Sequence, residues 1–297
     1  MLFAAIDIGS NAARLLFANA YNRNGAAHID KASLIRIPTR LGVDVYHNNK
    51  ISKDKAHDFI KTMKAFKLLI DVYRPETYLA CATAAMREAE NSEEILKKIK
   101  KETGLKIKII DGKKEAEIIR SNSRILFPSP KPISLYIDVG GGSTELSIEK
   151  DGELYKQKSF KLGTLRLIHH KVKVKVWEDI KEWLLDCRGG FTDMQVIGTG
   201  GNINKLCKTY GDNEKQVLNI GNLQFAYNHL RMLSVDERIR KYGFRPDRAD
   251  VIVPAASIYI FVMEIIQASS IFVPRIGLVD GLILKQYKDY QLKKRNY

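Results

Sequence analysis

Cysteine is scarce in this chain: Cys81, Cys187 and Cys207 stand far apart, too few and too scattered for a disulfide framework or a CxxC metal knuckle. A reducing, cytoplasmic setting is the expectation. Proline is also thin, at eight residues, and three of them crowd into Phe127-Pro128-Ser129-Pro130-Lys131-Pro132. No apolar run is free of interruption. The longest, residues 253–273, carries Pro254, Ser257, Glu264, Gln267, Ser269 and Ser270. A charge at a bilayer centre is costly, so the run reads as a buried helix and no membrane partner is expected. Residues 1–6 lack a basic n-region, so no secretory signal is expected. There is no basic low-complexity arm of the kind that wraps nucleic acid. His169 and His170 are adjacent and cannot both face one ion from a regular strand, which leaves zinc without a pattern.

What is present is a chain of 297 residues, 45% hydrophobic and 28% charged, enough for a real core and for about two domains. The formal net charge is +15, spread as +8 over residues 1–124 and +7 over residues 125–297. That balance implies an anionic partner. The densest basic stretch is Lys156, Lys158, Lys161, Arg166, Lys171, Lys173 and Lys175, with no acid between Glu153 and Glu178. Two readings of it stay open: a solvated face, or the rim of a polyanion site.

Hydrophobic spacing gives the organisation. Residues 2–8 and 14–20 read as a hairpin around Gly9, Ser10 and Asn11. Helices are expected over 51–73, 92–103 (capped by Ser92) and 114–126, with strands over 77–83 and 105–110. The proline cluster is the expected boundary between domains 1–126 and 127–297. Beyond it come strands over 133–138 and 145–150, a turn at Asp151-Gly152 into a third strand, and a strand over 194–197. Helices follow over 176–185, 203–210, 223–232, 235–242, 248–267 and 279–290. The last helical stretch, 279–297, has the option of packing back on the first domain.

An internal echo is the most informative pattern. One strand ends in Asp7-Ile8-Gly9-Ser10-Asn11 and another in Asp138-Val139-Gly140-Gly141-Gly142-Ser143-Thr144, half a chain apart. Glycine in such turns lets backbone N–H groups approach a ligand, and successive N–H groups form an anion nest. Ser10, Asn11, Ser143 and Thr144 add donors, and Asp7 and Asp138 stand where a carboxylate can hold hydrated Mg²⁺ against phosphate. A third loop, Gly198-Thr199-Gly200-Gly201-Asn202, opens a helix whose positive end favours anions; read more plainly, it is a strand–helix turn with Asn202 as the cap.

The chain resembles the exopolyphosphatase / guanosine pentaphosphate phosphohydrolase family of the actin–sugar kinase–heat-shock ATPase superfamily. The resemblance rests on AIDIGSN (5–11), RLG (40–42), ATAAMREAEN (82–91), Gly112 with Glu115-Ala116, YIDVGGGSTEL (136–146), KLGTLRL (161–167), VIGTGGNINKL (196–206), DRADVIVPAA (247–256) and GLVDGL (277–282). It implies an α/β fold of two ribonuclease-H-like domains with an interdomain cleft. It implies Mg²⁺ as cofactor and release of terminal phosphate from inorganic polyphosphate or guanosine pentaphosphate. Carried over by position, Glu115 matches the glutamate that activates water. Asp138 and Glu145 match acids around metal and water, with Glu145 also in the catalytic set. Arg87 matches an arginine facing phosphates. Asp7, Gly9, Ser10 and Asn11 match the first phosphate loop, and Gly140, Gly141, Gly142, Ser143 and Thr144 the second. Gly200, Gly201, Asn202 and Arg166 complete the expected phosphate contacts.

Three features depart from the family pattern. Ala12, followed by Ala13, stands where the family usually has Ser or Thr, which removes a hydroxyl near the first loop but leaves the backbone nest. Lys113 and Lys114 precede Glu115 and should favour its ionised form. The length matches the short two-domain members, without the helical region that extends the groove in longer relatives. A homodimer is an open expectation. Two rival functions remain: a phosphate-binding sensor without turnover, and an ATP-dependent kinase that needs a second substrate.

Overall fold

A computed structural model describes residues 1–23, 25–126, 132–188 and 194–295. The chain forms two compact units, Met1–Ile125 with Leu278–Tyr297, and Leu126–Gly277. Of the proline-rich segment expected at the boundary, residues 127–131 lie outside the described residues.

The first unit starts with three antiparallel strands, β1 (Leu2–Ile8), β2 (Ala13–Arg23) and β3 (Ala26–Ile37). Helices α1 (Leu41–Asn48) and α2 (Lys53–Tyr73) lead to β4 (Tyr78–Ala82), which pairs parallel to β1. Helices α3 (Ala84–Glu88) and α4 (Ser92–Thr103) follow, then β5 (Lys108–Ile109), parallel to β4, and α5 (Gly112–Leu126). The sheet order is β3-β2-β1-β4-β5. β1 is apolar on both faces, and its residues Phe3, Ala4, Ala5 and Ile6 are all fully buried. It therefore takes a helical layer on each side, as a central strand of an α/β sheet must.

The second unit repeats that plan. Strands β6 (Ile133–Val139), β7 (Thr144–Lys150) and β8 (Glu153–Phe160) are antiparallel. Helices α6 (Thr164–Ile168) and α7 (Val174–Arg188) precede β9 (Gln195–Thr199), parallel to β6. Then come α8 (Gly201–Tyr210), β10 (Val217–Asn219), α9 (Ile220–Arg231), α10 (Val235–Tyr242), α11 (Pro246–Ala249), α12 (Ile252–Ile265) and β11 (Ser270–Phe272). The order β10-β11-β9-β6-β7-β8 contains the same five-strand succession as the first sheet. The ribonuclease-H-like fold expected of each half is present.

The apolar run 253–273 is not one helix but α12 followed by β11; α12 buries Ile258, Tyr259, Val262 and Met263 completely in the second core. Among the described residues no helix is long and apolar enough to cross a membrane. The expected single helix over 248–267 is two, α11 and α12, because the backbone at Asp250 and Val251 breaks the helical ladder between them.

Helix α13 (Leu278–Arg295) returns to the first unit. Leu282, Ile283 and Tyr287 are buried with Phe3, Ala5, Leu16, Ile118 and Ile119 in one core cluster. Each such fully buried side chain contributes ~1.5–3 kcal/mol. Gln286 Nε2 donates to the Ala4 carbonyl at 2.9 Å, and Lys31 pairs with Asp280 at 2.7 Å.

Two caps differ from expectation. Asn91, not Ser92, precedes α4, and its side chain bonds the Ile51 backbone at both N–H and C=O instead of capping. Gly200 precedes α8, so Asn202 is inside the helix and not its cap.

Candidate functional site

The two echoed turns close in the same way. Gly9 N–H donates to the Ala12 carbonyl at 3.0 Å, and Gly140 N–H donates to the Ser143 carbonyl at 2.9 Å. In each unit the first helix after the third strand then seats its free N–H groups on that turn. Gly42 at the start of α1 donates to the Ser10 carbonyl at 2.8 Å. Thr164 and Leu165 at the start of α6 donate to the carbonyls of Gly140 and Gly141 at 3.0 and 2.9 Å. Helix starts carry N–H groups without intrahelical partners, and here the turns accept them. The sequence echo is thus the visible part of a longer repeat that includes the RLG and KLGT segments.

In the first unit, Asp7 lies at the end of β1, 6% exposed, opposite Arg14 of β2. Arg14 Nη1 donates to Asp7 Oδ2 at 2.5 Å. Ser10 is buried, with its hydroxyl 2.7 Å from that of Tyr46. Asn11 is partly exposed, and its carbonyl accepts from Arg40 N–H. Arg87, in the last turn of α3, donates through Nη1 to the Ile110 carbonyl at 2.5 Å. The same Nη1 is 3.9 Å from Oε2 of Glu115, which lies in the first turn of α5 and is 9% exposed. Asp111 fixes that turn: its Oδ1 accepts from Lys114 N–H at 2.7 Å. Lys114 turns its own charge to Glu117, at 2.7 Å, rather than to Glu115. Cys81 pairs in register with Asp7. Burial first, and then the charge of Asp7, pushes its thiol up to about 11, with Glu115 adding to the effect.

In the second unit, Asp138 and Glu145 are direct cross-strand partners on β6 and β7, which places both side chains on one face of the sheet. Their carboxylate oxygens lie within 4.8 Å of one another. Thr199 Oγ1 donates to Asp138 Oδ1 at 2.7 Å, and Ser159 Oγ to Glu145 Oε1 at 2.7 Å. The Thr199 carbonyl in turn accepts from the fully buried Tyr259 hydroxyl at 2.7 Å. Burial, and then the charge of Asp138, raises the Tyr259 hydroxyl well above its usual pKa, so it stays a donor. Two adjacent carboxylates held by hydroxyl donors form a hard oxygen set suited to Mg²⁺, which takes one or two carboxylates and completes its shell with water and phosphate.

The Gly140–Thr144 loop is fixed from behind. Arg166, 8% exposed, donates from Nε to the Gly142 carbonyl at 2.6 Å. Thr144 is fully buried and its hydroxyl donates to the Leu162 carbonyl at 2.6 Å. A Cβ on Gly163 would stand 2.5 Å from the backbone of both Gly141 and Gly142, so only glycine fits where the two segments cross. Gly200, before α8, takes a positive φ of 98°. Gly200 and Gly201 open α8, and Asn202 is partly exposed in its first turn.

Within each unit the structure therefore gathers the expected residues: Asp7 with the first turn, Arg87 with Glu115, and Asp138 with Glu145 and the second turn. Ser159, Gly163 and Tyr259 were not singled out. Ser159 and Gly163 both lie within the basic stretch 156–175, Gly163 inside the KLGTLRL motif itself, and Tyr259 lay hidden in an apolar helix. The basic stretch itself divides. Lys156 pairs with Asp186, and Lys158 lies 5.0 Å over the Phe160 ring, both on β8 at the edge of the sheet.

Comparison with known proteins places the chain in a family. The model of the Ppx/GppA phosphatase family matches residues 23–289. The "Bifunctional 3-dehydroquinate synthase/phosphatase" of Fusobacterium nucleatum is 26% identical over 96% of this chain, which spans 46% of that longer protein. "Exopolyphosphatase 1" of Mycobacterium leprae is 26% identical over 96% of this chain and 89% of its own length. The solved structure of the Ppx/GppA family member of Aquifex aeolicus superposes with a TM-score of 0.76 at 25% identity, over 98% of each chain.

Proposed function

The chain belongs to the Ppx/GppA phosphatase family, and from that premise we propose that it is a Mg²⁺-dependent phosphoanhydride hydrolase that releases terminal phosphate from inorganic polyphosphate. Water attacks the terminal phosphorus, the bridging P–O bond breaks, and the shortened chain leaves with that oxygen. Glu115 orients the water and takes its proton. Arg87 presents a planar fork of donors to phosphate oxygens. The turns at Gly9–Ala12 and Gly140–Ser143 offer backbone N–H groups. Asp138 and Glu145 would hold Mg²⁺, which supplies charge neutralisation at the phosphate oxygens. Phosphoryl transfer asks mainly for positioning and charge stabilisation, and these residues supply both.

The observation that carries the reading is the placement of Glu115: nearly buried, in a capped first helical turn, beside Arg87 at 3.9 Å. That is a fixed carboxylate with a phosphate-binding cation next to it. The test is phosphate release from tripolyphosphate, long-chain polyphosphate, guanosine pentaphosphate and ATP, with and without Mg²⁺. Release from polyphosphate that needs Mg²⁺ and no acceptor supports the reading. Tight binding without release favours a sensor, a requirement for an acceptor favours a kinase, and either result overturns it. Release from guanosine pentaphosphate alone would move the same chemistry to a nucleotide.

A further inference from the structure

One cavity of the second unit takes no part in that chemistry. It is an open surface hollow of about 440 Å³, lined by Asn204, Lys205 and Lys208 of α8, by Gly243, by Arg245 and Arg248 at α11, and by Arg275 after β11. Five of these side chains are cationic, and none of the lining residues is acidic. Asp247 and Asp250, on the same turn of chain, are not part of the lining. Lys205 Nζ donates to the Tyr242 carbonyl at 3.4 Å and lies 5.0 Å over the Phe244 ring. Arg275 Nη2 donates to Asn213 at 2.6 Å, which fixes one wall. Burial lowers the pKa of Lys205, and the charges of Lys208 and Arg248 lower it further. Like charges gathered around one hollow repel each other, and an anion placed among them removes that repulsion.

The lining also says what kind of anion fits. A nucleobase wants an aromatic face to stack on or an apolar slot. Neither is here, since no aromatic residue lines the cavity and Phe244 is only 2% exposed. Consecutive phosphates want cationic donors at several points, as five Lys and Arg side chains provide. The cavity is also well placed. A Cβ on Gly200 would stand 3.0 Å from Asp138 Oδ1, so α8 begins beside that carboxylate. Asn204 to Lys208 then follow ~6–12 Å along the helix, at ~1.5 Å per residue.

We propose that this cavity is a subsite for a run of consecutive phosphate groups, and that it holds non-reacting phosphates of the chain whose end is hydrolysed. The second half of this statement rests on the hydrolase reading above. The unit then reads phosphate chain length and not a nucleoside.

Lys208→Gln with Arg245→Gln tests it, both residues being exposed, and Arg275→Gln gives an independent variant. Steady-state rates are measured with tripolyphosphate and with long-chain polyphosphate. Calorimetric titrations with both ligands use a Glu115→Gln background to stop turnover. The expected result is a fall of ~10-fold or more in the ratio of kcat/KM for long over short chains, matched by the loss in long-chain affinity. A second bound tripolyphosphate that the variants lose, with the ratio unchanged, confirms the phosphate subsite and assigns it to a separate phosphorylated molecule. Unchanged ratio and unchanged stoichiometry overturn the proposal, as does an equal loss for both chain lengths. If the unmutated protein releases no phosphate at all, the hydrolase reading fails by itself, and the titrations still decide whether the cavity binds phosphate.

Discussion

Glu145 stands directly opposite Asp138 across the β6–β7 ladder, in the register that sets Arg14 opposite Asp7 across β1–β2. The two turns repeat, but their neighbours have opposite charge. In the first unit the strand-end carboxylate is neutralised within the protein by an arginine at 2.5 Å. In the second, two carboxylates face one another and repel unless a cation or proton joins them. The duplicated architecture therefore sets its strand-end carboxylate against an arginine in the first unit and against a second carboxylate in the second. Replacing Glu145 with Gln should raise the Mg²⁺ concentration for half-maximal phosphate release by ~10-fold or more, the scale on which ligand-shell changes act. A Mg²⁺ titration checks this; an unshifted midpoint removes Glu145 from the metal set.

Glu115→Gln keeps shape and hydrogen bonding but cannot take a proton. Phosphate release should drop by ~10²–10⁴-fold, the usual range for a lost general base. Polyphosphate affinity, measured by calorimetry, should stay close to that of the unmutated protein. Near-normal turnover would remove Glu115 from the reaction.

Thr199→Val deletes the hydroxyl that holds Asp138 Oδ1 and keeps the volume. Its effect should appear as a Mg²⁺ requirement raised by ~10–100-fold, as for other residues that orient a metal ligand. Saturating Mg²⁺ should restore much of the rate, a rescue that a purely structural defect would not show.

At Gly163 the expected change is mechanical. An alanine methyl would meet the Gly141 and Gly142 backbone at 2.5 Å, so the loop must move. Overpacking of this kind costs ~1–3 kcal/mol. Thermal melting should report that loss, and phosphate release should fall further than the melting shift alone explains, because the displaced segment is the phosphate turn.

Burial raises the thiols of Cys81, Cys187 and Cys207, with Cys81 pushed up to about 11 from an ordinary value of 9.0. The folded Cys81 keeps its proton at pH values where the unfolded thiol has lost it. Stability from this group is therefore intact below about pH 9 and declines as pH rises from there towards 11. Alkylation by iodoacetamide at pH 9 should be far slower on native protein than in urea. Equal rates would show that Cys81 is not shielded as described.

Much of this was legible in the sequence because the relevant signals are local. The β1–β2 and β6–β7 hairpins, the body of α2 and the glycine turns all announce themselves within a few residues, although α2 begins at Lys53 behind the cap Ser52 and not at residue 51. Strand β3 did not, because it is an edge strand whose Leu34 and Ile37 face outward among polar residues, held by its ladder with β2. Helix α1 was hidden as well: its entry needs Arg40 in a left-handed conformation, stabilised by Asn11 from the preceding turn. The same holds for the site. Asp138 could be read from its motif, whereas the Tyr259–Thr199–Asp138 relay joins β6, β9 and α12 and has no sequence period. Arg166 stood out as a phosphate ligand, and in the structure its Nε is spent on the Gly142 carbonyl.

Helix α13 completes the first unit from the far end of the second, with Gln286 bonded to the Ala4 carbonyl. During synthesis the first strands emerge early but lack the helix that covers Phe3, Leu16 and Ile119. The inserted unit has all of its own core by Gly277 and can close first. The chain thus begins the first unit before the second and supplies its last element after it. Until residues 278–295 are made, the apolar sheet face formed by Phe3, Ala5 and Leu16 lacks its covering helix.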